Sequence, residues 1–204
     1  VRIETVTPSA VGESRPTPTA EPKLNGYAFP IVGGCLPKGD QLLPNAPRTY
    51  RNGFHEGLDL YESDNCTNIR RGTGVVAARD GTIARADTVY SELTVAELNQ
   101  LSLNPTTPAA LDRFRGRQVW VDHGDGVVTR YAHLSGVAPG IVAGNPVKAG
   151  DLIAFVGESG TPESINSPGT ENHLHFELRN GEGFLGQGLQ GPAVRRAYET
   201  LFGP

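Results

Sequence analysis

Two histidines and a glutamate alternate with apolar residues in one short run near the end of the chain, HLHFEL at 173–178. A period of two is typical of a β-strand that buries one face in a core. Alternate residues on a strand lie about 6–7 Å apart, so His173 and His175 can reach one small site, with Glu177 on the same face. Imidazoles and carboxylates bind metal ions, and imidazoles move protons near neutral pH. The alternative is a solvated strand edge that carries two histidines by chance.

A second group that could do chemistry stands in the run FHEGLDLY at 54–61. On a straight strand His55 and Asp59 would be about 13 Å apart, too far to share one ion. Gly57 lies between them and allows the backbone to bend, which would bring the two side chains together. Taken alone, the run fits equally well a histidine in a turn and a capping aspartate.

A third histidine stands at the end of a predicted strand. The segments 118–122 and 127–134 predict a β-hairpin around the turn HGDG. Alternation along the second segment places Thr129, Tyr131 and His133 on one face. His123 lies in the turn itself, where a plain turn role is the favoured interpretation.

Together these residues could serve a hydrolytic metal site. Two histidines and an aspartate are an ordinary ligand set for zinc, and a catalytic zinc keeps three protein ligands and one water. Zinc lowers the pKa of that water and polarises a carbonyl group. A hydrolase also needs a base for the water and a donor for the oxyanion. The pattern does not say which histidine takes which role.

The elements that must position these residues are mostly short strands joined by turns. The Asp80-Gly81 pair is a hairpin signal. Besides the hairpin described above, the patterns predict a first strand at 26–32, a hairpin at 74–78 and 82–86, and a turn and strand over 147–157. They also predict an inserted surface excursion at 87–116 with short helices at 91–98 and 108–115, and a terminal helix at 192–202.

The composition limits the class of protein. The 204 residues are enough for one domain with a real core, and 26 glycines and 16 prolines favour turns and short strands. A net charge of -4 without a Lys/Arg run argues against a nucleic-acid partner. No apolar stretch is long enough to span a bilayer.

The start of the chain and the two cysteines carry further expectations. Residues 1–25 are rich in Pro, Thr, Ser and Glu, which predicts a linker or a strap along the domain that partly occludes the site. Without an initiator Met or a signal peptide, we expect a mature or trimmed form.

Cys35 and Cys66 are predicted to form a disulfide that ties the loop before His55 to the loop after Asp59. Two unpaired thiols fit the count nearly as well, and Cys66 as a metal ligand is a further alternative.

The motifs resemble those of the LytM/lysostaphin-type zinc metallopeptidases, over about residues 53 to 179 and in the right order. His55-Glu56-Gly57-Leu58-Asp59 matches the family's His-x-Gly-x-Asp signature, and His173-Leu174-His175 matches its His-x-His. The connecting motifs are similar too: HGDG at 123–126, TRYAHLS at 129–135, VKAGD at 147–151 and VGESG at 156–160.

The resemblance implies a site and a function. One Zn²⁺ per chain would be bound by His55, Asp59 and His175. His173 would act as general base, and His133 would stabilise the oxyanion or position the water. The implied activity is that of an endopeptidase on peptide cross-links or bridges of bacterial peptidoglycan, in a secreted, periplasmic or cell-envelope monomer. Two further side chains are expected to support the imidazoles: Glu177 and Tyr131.

The implied fold is mainly β: an antiparallel β-sheet domain over residues 26–204 with an open groove, a short helical insertion and a short C-terminal helix. Two other readings stay open. A non-catalytic member of the family would bind cell wall or activate an amidase, although such members lose ligands or catalytic histidines that this chain keeps. A lipoyl-type carrier would explain the turn around Lys148 but would leave the histidines without a role.

Overall fold

The computed structural model describes residues 22–49 and 52–203. They form a mainly β fold of antiparallel sheets with a few short helices, which confirms the predicted fold class. The prediction for residues 1–25 falls almost wholly outside the described part of the chain. None of the described helices is long and apolar enough to cross a membrane.

The strands of the described residues form three sheets. The largest contains β3 (Leu58–Leu60), β5 (Gly81–Ala86), β6 (Val119–Asp122), β7 (Val127–Ala132), β9 (Pro146–Val147), β11 (Leu174–Asn180) and β12 (Gly183–Phe184). Its order is β12-β11-β7-β6-β5-β9, and β3 also pairs with β11. A second sheet has the order β4-β10-β8, from β4 (Gly74–Val76), β8 (Leu134–Val137) and β10 (Leu152–Val156). A small pair joins β1 (Pro47–Arg48) to β2 (Gly53–Phe54).

Strand β11 is the element on which the site is built. It pairs antiparallel with β3 along one part of its length and with β7 along the other edge. Its apolar residues Leu174, Phe176 and Leu178 are fully buried in the core, as their alternation predicts. Burial of such side chains stabilises the fold by about 1.5–3 kcal/mol each, so the register of β11 is strongly determined.

The excursion at 87–116 contains the two predicted helices, α1 (Val95–Leu101) and α2 (Pro108–Phe114). Helix α1 begins later than predicted because Thr94 caps it: the Thr94 side chain accepts from Glu97 N, and the Glu97 side chain accepts from Thr94 N. Thr107 caps α2. The other α-helices of the described residues are α3 (Glu163–Asn166) and α4 (Gly191–Phe202), and α4 confirms the predicted terminal helix. Two short 3-10 helices lie at Asp40–Leu42 and Glu62–Asp64.

The predicted first strand at 26–32 is wrong. The segment ends in a bend and a turn, and its hydrogen bonds go to several elements and not to one neighbouring strand. Tyr27 N donates to Leu201 O, and Ala28 N donates to Ala78 O. Pro30, which has no N–H to donate, only accepts a hydrogen bond. No ladder can therefore form along this segment.

The predicted hairpin at 74–86 is also wrong. Strand β4 pairs with β10, whereas β5 pairs with β6 and β9, so the two strands belong to different sheets. Asp80 at the expected turn accepts from Lys148 Nζ and Ala149 N, and this holds the crossing segment to another loop. The hairpin of β6 and β7 is confirmed. The disulfide between Cys35 and Cys66 is confirmed as well.

Candidate functional site

Three side chains from two segments converge on one point beside β11. His55 Nε2 lies 3.0 Å from Asp59 Oδ1 and 3.1 Å from His175 Nδ1, and His175 Nδ1 lies 2.8 Å from Asp59 Oδ1. All three residues are buried, and each offers a ligand atom within 4.8 Å of the others. The register that pairs His175 with Asp59 across β11 and β3 sets part of this arrangement. This group could hold a metal ion.

In His55 and His175, the ring nitrogen that points away from the site fixes the tautomer. It thereby determines whether the nitrogen that points into the site carries a proton or a lone pair. His55 Nδ1 donates to the carbonyl oxygen of Leu43 at 3.0 Å, since a carbonyl only accepts. His175 Nε2 donates to Glu177 Oε1 at 3.0 Å. In the neutral rings, His55 Nε2 and His175 Nδ1 are therefore left as acceptors that face each other and the Asp59 carboxylate. Three lone pairs directed at one point suit a bound cation, and N/N/O is a set that zinc takes.

The charges around the three residues shift their pKa values in different directions. Burial alone would raise the pKa of Asp59, but the neighbouring His55 and His175 hold it well below its ordinary value. Burial lowers the pKa of His55 and outweighs the opposing effect of Asp59. Burial also disfavours charge on His175, but Asp59 and Glu177 raise its pKa. The site thus holds at least one ionised carboxylate at neutral pH.

Glu177 lies beneath the site and is completely buried. Besides His175, its carboxylate contacts Arg115 Nε at 2.6 Å and Arg179 Nη1 at 3.3 Å. Burial would raise the pKa of Glu177, but Arg115, His175 and Arg179 together lower it. Arg115 also contacts Glu56 Oε2 at 2.5 Å. Glu177 therefore holds His175 in place through a paired buried charge, the support that a ligand histidine commonly has.

His133 follows β7 and turns its imidazole toward the same site. Its ring centroid lies 4.6 Å from that of His173 and 5.7 Å from that of His175. Its Nδ1 lies 2.9 Å from Ser159 O, and its backbone N donates to Arg115 O at 2.9 Å. Burial lowers the pKa of His133 well below its ordinary value, and the two nearby histidines add to this effect.

The prediction that His133 shares a face with Thr129 and Tyr131 is wrong. His133 has a positive φ of 59°, which breaks the alternation at the end of the strand. Tyr131 lies opposite Phe176 on the core face, where its hydroxyl accepts from Ala78 N at 2.7 Å. The expected support of an imidazole by Tyr131 is therefore corrected: its hydroxyl contacts the backbone and Thr129.

His173 precedes β11 and completes the cluster. It is 4 % exposed, and its Nε2 lies 3.7 Å from Asp59 Oδ1. His173 and His133 lie on the floor of a groove that also contains the three converging residues. The walls of this groove come from residues 41–49, the residue after β3, the 87–116 excursion and the loop before β11, and include Gln41, Arg48, Tyr61, Phe114, Thr161 and Glu171.

Comparison with known proteins identifies the family. The model of peptidase family M23 matches residues 53–187, which is well over half of the chain. The chain belongs to peptidase family M23. This agrees with the resemblance to LytM/lysostaphin-type enzymes in the sequence motifs. No curated protein matches this M23 chain.

Several solved structures are similar to this M23 chain. The catalytic domain of the prophage-encoded M23 protein EnpA from Enterococcus faecalis has 23 % identity and a TM-score of 0.42, over 65 % of this chain and 74 % of that one. The catalytic domain of lysostaphin from Staphylococcus simulans has 20 % identity and a TM-score of 0.43, over 84 % and 92 %. A zinc containing peptidase from Vibrio cholerae has 24 % identity and a TM-score of 0.42, over 82 % of this chain and 37 % of that chain.

No pattern in the sequence indicated that two arginines, Arg115 and Arg48, belong to the site. Arg115 ends the inserted excursion and is 62 positions from Glu177, so no local pattern joins the two. Arg48 Nη2 lies 3.2 Å from Asp59 Oδ2, across a turn whose geometry the sequence did not predict. His123 lies elsewhere: its ring contacts Asp80 O and Thr129 Oγ1, in agreement with the plain turn role.

Proposed function

We propose that this chain is a zinc-dependent endopeptidase that hydrolyses peptide cross-links or bridges of bacterial peptidoglycan. The observation that carries the proposal is the convergence of three acceptor atoms, from His55, Asp59 and His175, in one groove that also contains the half-buried His133 and the buried His173. Membership of peptidase family M23 supports the reaction class. The peptidoglycan substrate and a place in the cell envelope rest on the family, and we propose one ion per monomer.

The metal would be held by His55 Nε2, Asp59 Oδ1 and His175 Nδ1. A zinc ion bound there supplies Lewis acidity: it polarises the scissile carbonyl and makes a water acidic. Glu177 keeps the proton of His175 on Nε2 and thereby leaves Nδ1 free to bind the ion.

Two histidines remain for the proton and the oxyanion. His173 Nε2 faces the metal-binding atoms, so it is placed to take a proton from the attacking water and to pass it to the leaving amine. His133 Nδ1 donates to the Ser159 carbonyl oxygen, so Nε2 is the remaining polar atom of the ring. Oriented by that bond, His133 would position the attacking water or, with a proton on Nε2, stabilise the oxyanion.

The experiment compares four alanine variants for zinc content and for turnover on purified sacculi, with mass spectrometry of the released fragments. His55→Ala and His175→Ala should lose zinc and activity together, because two ligands bind zinc weakly. His173→Ala and His133→Ala should keep about one zinc per chain while turnover falls about 10²–10⁴-fold, the usual effect of a positioned acid–base group.

The matched control is His123→Ala, which removes a histidine outside the groove and should change neither zinc content nor turnover. Binding to sacculi without release of peptide fragments would contradict the proposal and indicate a non-catalytic member of the family. Loss of zinc from His173→Ala as complete as from His175→Ala would contradict the division of roles.

A further inference from the structure

Three polar groups of Glu171 hold the segment that leads into β11. Its backbone N donates to Glu158 Oε2 at 3.0 Å, and its carbonyl oxygen lies 2.6 Å from His173 Nδ1. Its carboxylate accepts from the hydroxyl of Tyr61 at 2.8 Å. The bonds of its backbone N and of its carboxylate therefore fix the position of the Glu171 carbonyl, which contacts His173.

Tyr61 contacts the same histidine by a second route. Its ring is stacked on the imidazole of His173, with centroids 4.4 Å apart and planes at 13°. The stack restricts rotation of the imidazole about its own axis, and the bond to Glu171 holds the tyrosine in the stacked position. Tyr61 and Glu171 come from segments 110 residues apart in sequence, so the contact is tertiary.

The contact with Glu171 selects one tautomer of His173. A carbonyl oxygen only accepts, so Nδ1 carries the proton and donates it to Glu171. Nε2 is then left with its lone pair, 3.7 Å from Asp59 Oδ1 and directed at the metal-binding atoms. A histidine with the other tautomer would present an N–H there and could not accept a proton.

We propose that Tyr61 and Glu171 form a clamp that fixes the tautomer and the ring direction of His173. Both are positioning residues, because neither has a part in the chemistry itself. The inference deepens the proposed function and rests on His173 as the proton acceptor. The bond between the Tyr61 hydroxyl and the Glu171 carboxylate keeps the Glu171 carbonyl directed at Nδ1, while the stacked ring keeps Nε2 directed at the metal-binding atoms.

The test removes each half of the Tyr61–Glu171 bond in the zinc-loaded protein. Tyr61→Phe keeps the ring and deletes the hydroxyl, and Glu171→Ala deletes the acceptor but keeps the backbone carbonyl. Each should lower kcat about 10–100-fold with KM and zinc content little changed. Because both delete the same bond, the double variant should be no slower than the slower single variant. Glu171→Gln keeps an acceptor oxygen and should restore most of the rate.

A second readout reports the tautomer directly. Long-range ¹H–¹⁵N correlation spectra should show His173 with its proton on Nδ1 in the wild type and a mixture of tautomers in Tyr61→Phe and Glu171→Ala. The matched control is Tyr27→Phe, whose hydroxyl donates to Lys23 O at 3.0 Å away from the groove. It deletes the hydrogen bond of a tyrosine hydroxyl and should change neither readout.

Two outcomes would overturn the clamp: an unchanged Nδ1–H tautomer with wild-type kcat in both single variants, or losses that simply add in the double variant. Failure of the proposed function has a different signature. If His173→Ala keeps wild-type turnover, His173 is not the proton acceptor, while the tautomer spectra still decide whether the clamp exists.

Discussion

The three proposed ligands and the two other histidines of the groove are held by different parts of the fold. Asp59 and His175 lie opposite each other on paired strands, and His175 rests on the buried carboxylate of Glu177. His133 Nδ1 donates to the carbonyl oxygen of Ser159, and His173 Nδ1 donates to that of Glu171. Both carbonyls lie in the loop between β10 and β11.

The difference separates two physical tasks. A sheet sets distances between side chains through strand register, which suits atoms that must share one ion. In the loop between β10 and β11, two backbone carbonyls set the direction and tautomer of the histidines proposed to move a proton and to position the water or the oxyanion. His55 also donates to a backbone carbonyl, of Leu43, which lies in a different loop. Substitutions of residues that support His175, such as Glu177, should therefore alter zinc affinity. Substitutions in the loop between β10 and β11 should alter turnover with zinc retained.

The largest expected effect is that of Glu177→Gln. The variant removes the buried charge that pairs with Arg115 and Arg179 and leaves the two arginines to share the carboxylate of Glu56. We therefore expect a loss of up to about 3–5 kcal/mol in the free energy of unfolding. Zinc affinity should fall about 10–100-fold, since His175 loses its charged support. Urea denaturation and competition with a zinc chelator measure the two effects.

The matched control for Glu177→Gln is Glu97→Gln. Glu97 pairs with Arg113 at 3.4 Å, and its side chain is 48 % exposed. That pair should contribute less than about 1 kcal/mol, with no effect on zinc. Equal losses in the two variants would mean that burial of Glu177 does not matter.

Gly160→Ala tests the loop side of the comparison. Gly160 has a φ of +78°, and an added Cβ would lie 2.4 Å from Gly116 N, so the Ser159 carbonyl must move. We expect turnover to fall at least about 10-fold, because His133 loses its orientation, with about one zinc per chain retained. Gly150→Ala is the control, since it has a φ of +88° but no atom within 4 Å. Loss of zinc from Gly160→Ala would remove the distinction between sheet and loop.

Gly57→Ala tests the sheet side by steric means. An added Cβ would lie 2.6 Å from Phe176 O and 2.8 Å from His175 Nε2, so it pushes against the bond from His175 to Glu177. Overpacking of this kind costs about 1–3 kcal/mol, and we expect zinc affinity to fall with stability. In Gly136→Ala the added Cβ would make only ordinary contacts, with Phe155 Cδ2 at 3.7 Å and Arg117 Nη1 at 3.8 Å, so this variant should be neutral for zinc. Unchanged zinc affinity in Gly57→Ala would argue against His175 as a ligand.

Asp125 lies outside both the proposed ligands and the loop that orients His133 and His173. Asp125→Asn should therefore have the smallest effect of these variants. Burial opposes ionisation of Asp125, but Lys23 N and the guanidinium of Arg79 at 2.6 Å lower its pKa. The variant should lose about 1–2 kcal/mol at pH 7, with turnover unchanged.

The loss in Asp125→Asn should depend on pH. Because the folded pKa lies below the unfolded value of about 3.9, the ionised carboxylate stabilises the fold above that pH. The contribution disappears as the pH falls through the folded pKa. Denaturation of metal-free wild type and variant between pH 7 and pH 3 should therefore show the two curves converging in acid. A constant difference would contradict the assignment.

The sequence predicted those features that depend on local pattern. Alternation at 173–178 predicted β11 and its buried face. Gly57 only allowed the bend by which His55 and Asp59 meet, and the resemblance to the family was needed to predict that they do. The Asp80-Gly81 signal failed because a turn signal does not say which strand is the partner, and β4 and β5 pair in different sheets. The direction of His133 could not be predicted, since its positive φ depends on the tertiary contacts at its two ends.

The disulfide between Cys35 and Cys66 has a consequence for the order in which the site assembles. The covalent ring that it closes contains His55 and Asp59, whereas His175 follows Asp59 by 116 residues. During synthesis the ring can close long before β11 exists, and β11 must then pair with β3 at long sequence separation, a slow class of contact. An ion that needs all three side chains would therefore bind only chains in which β11 has entered the sheet. Its binding would shift the equilibrium toward chains that have completed this late step of folding.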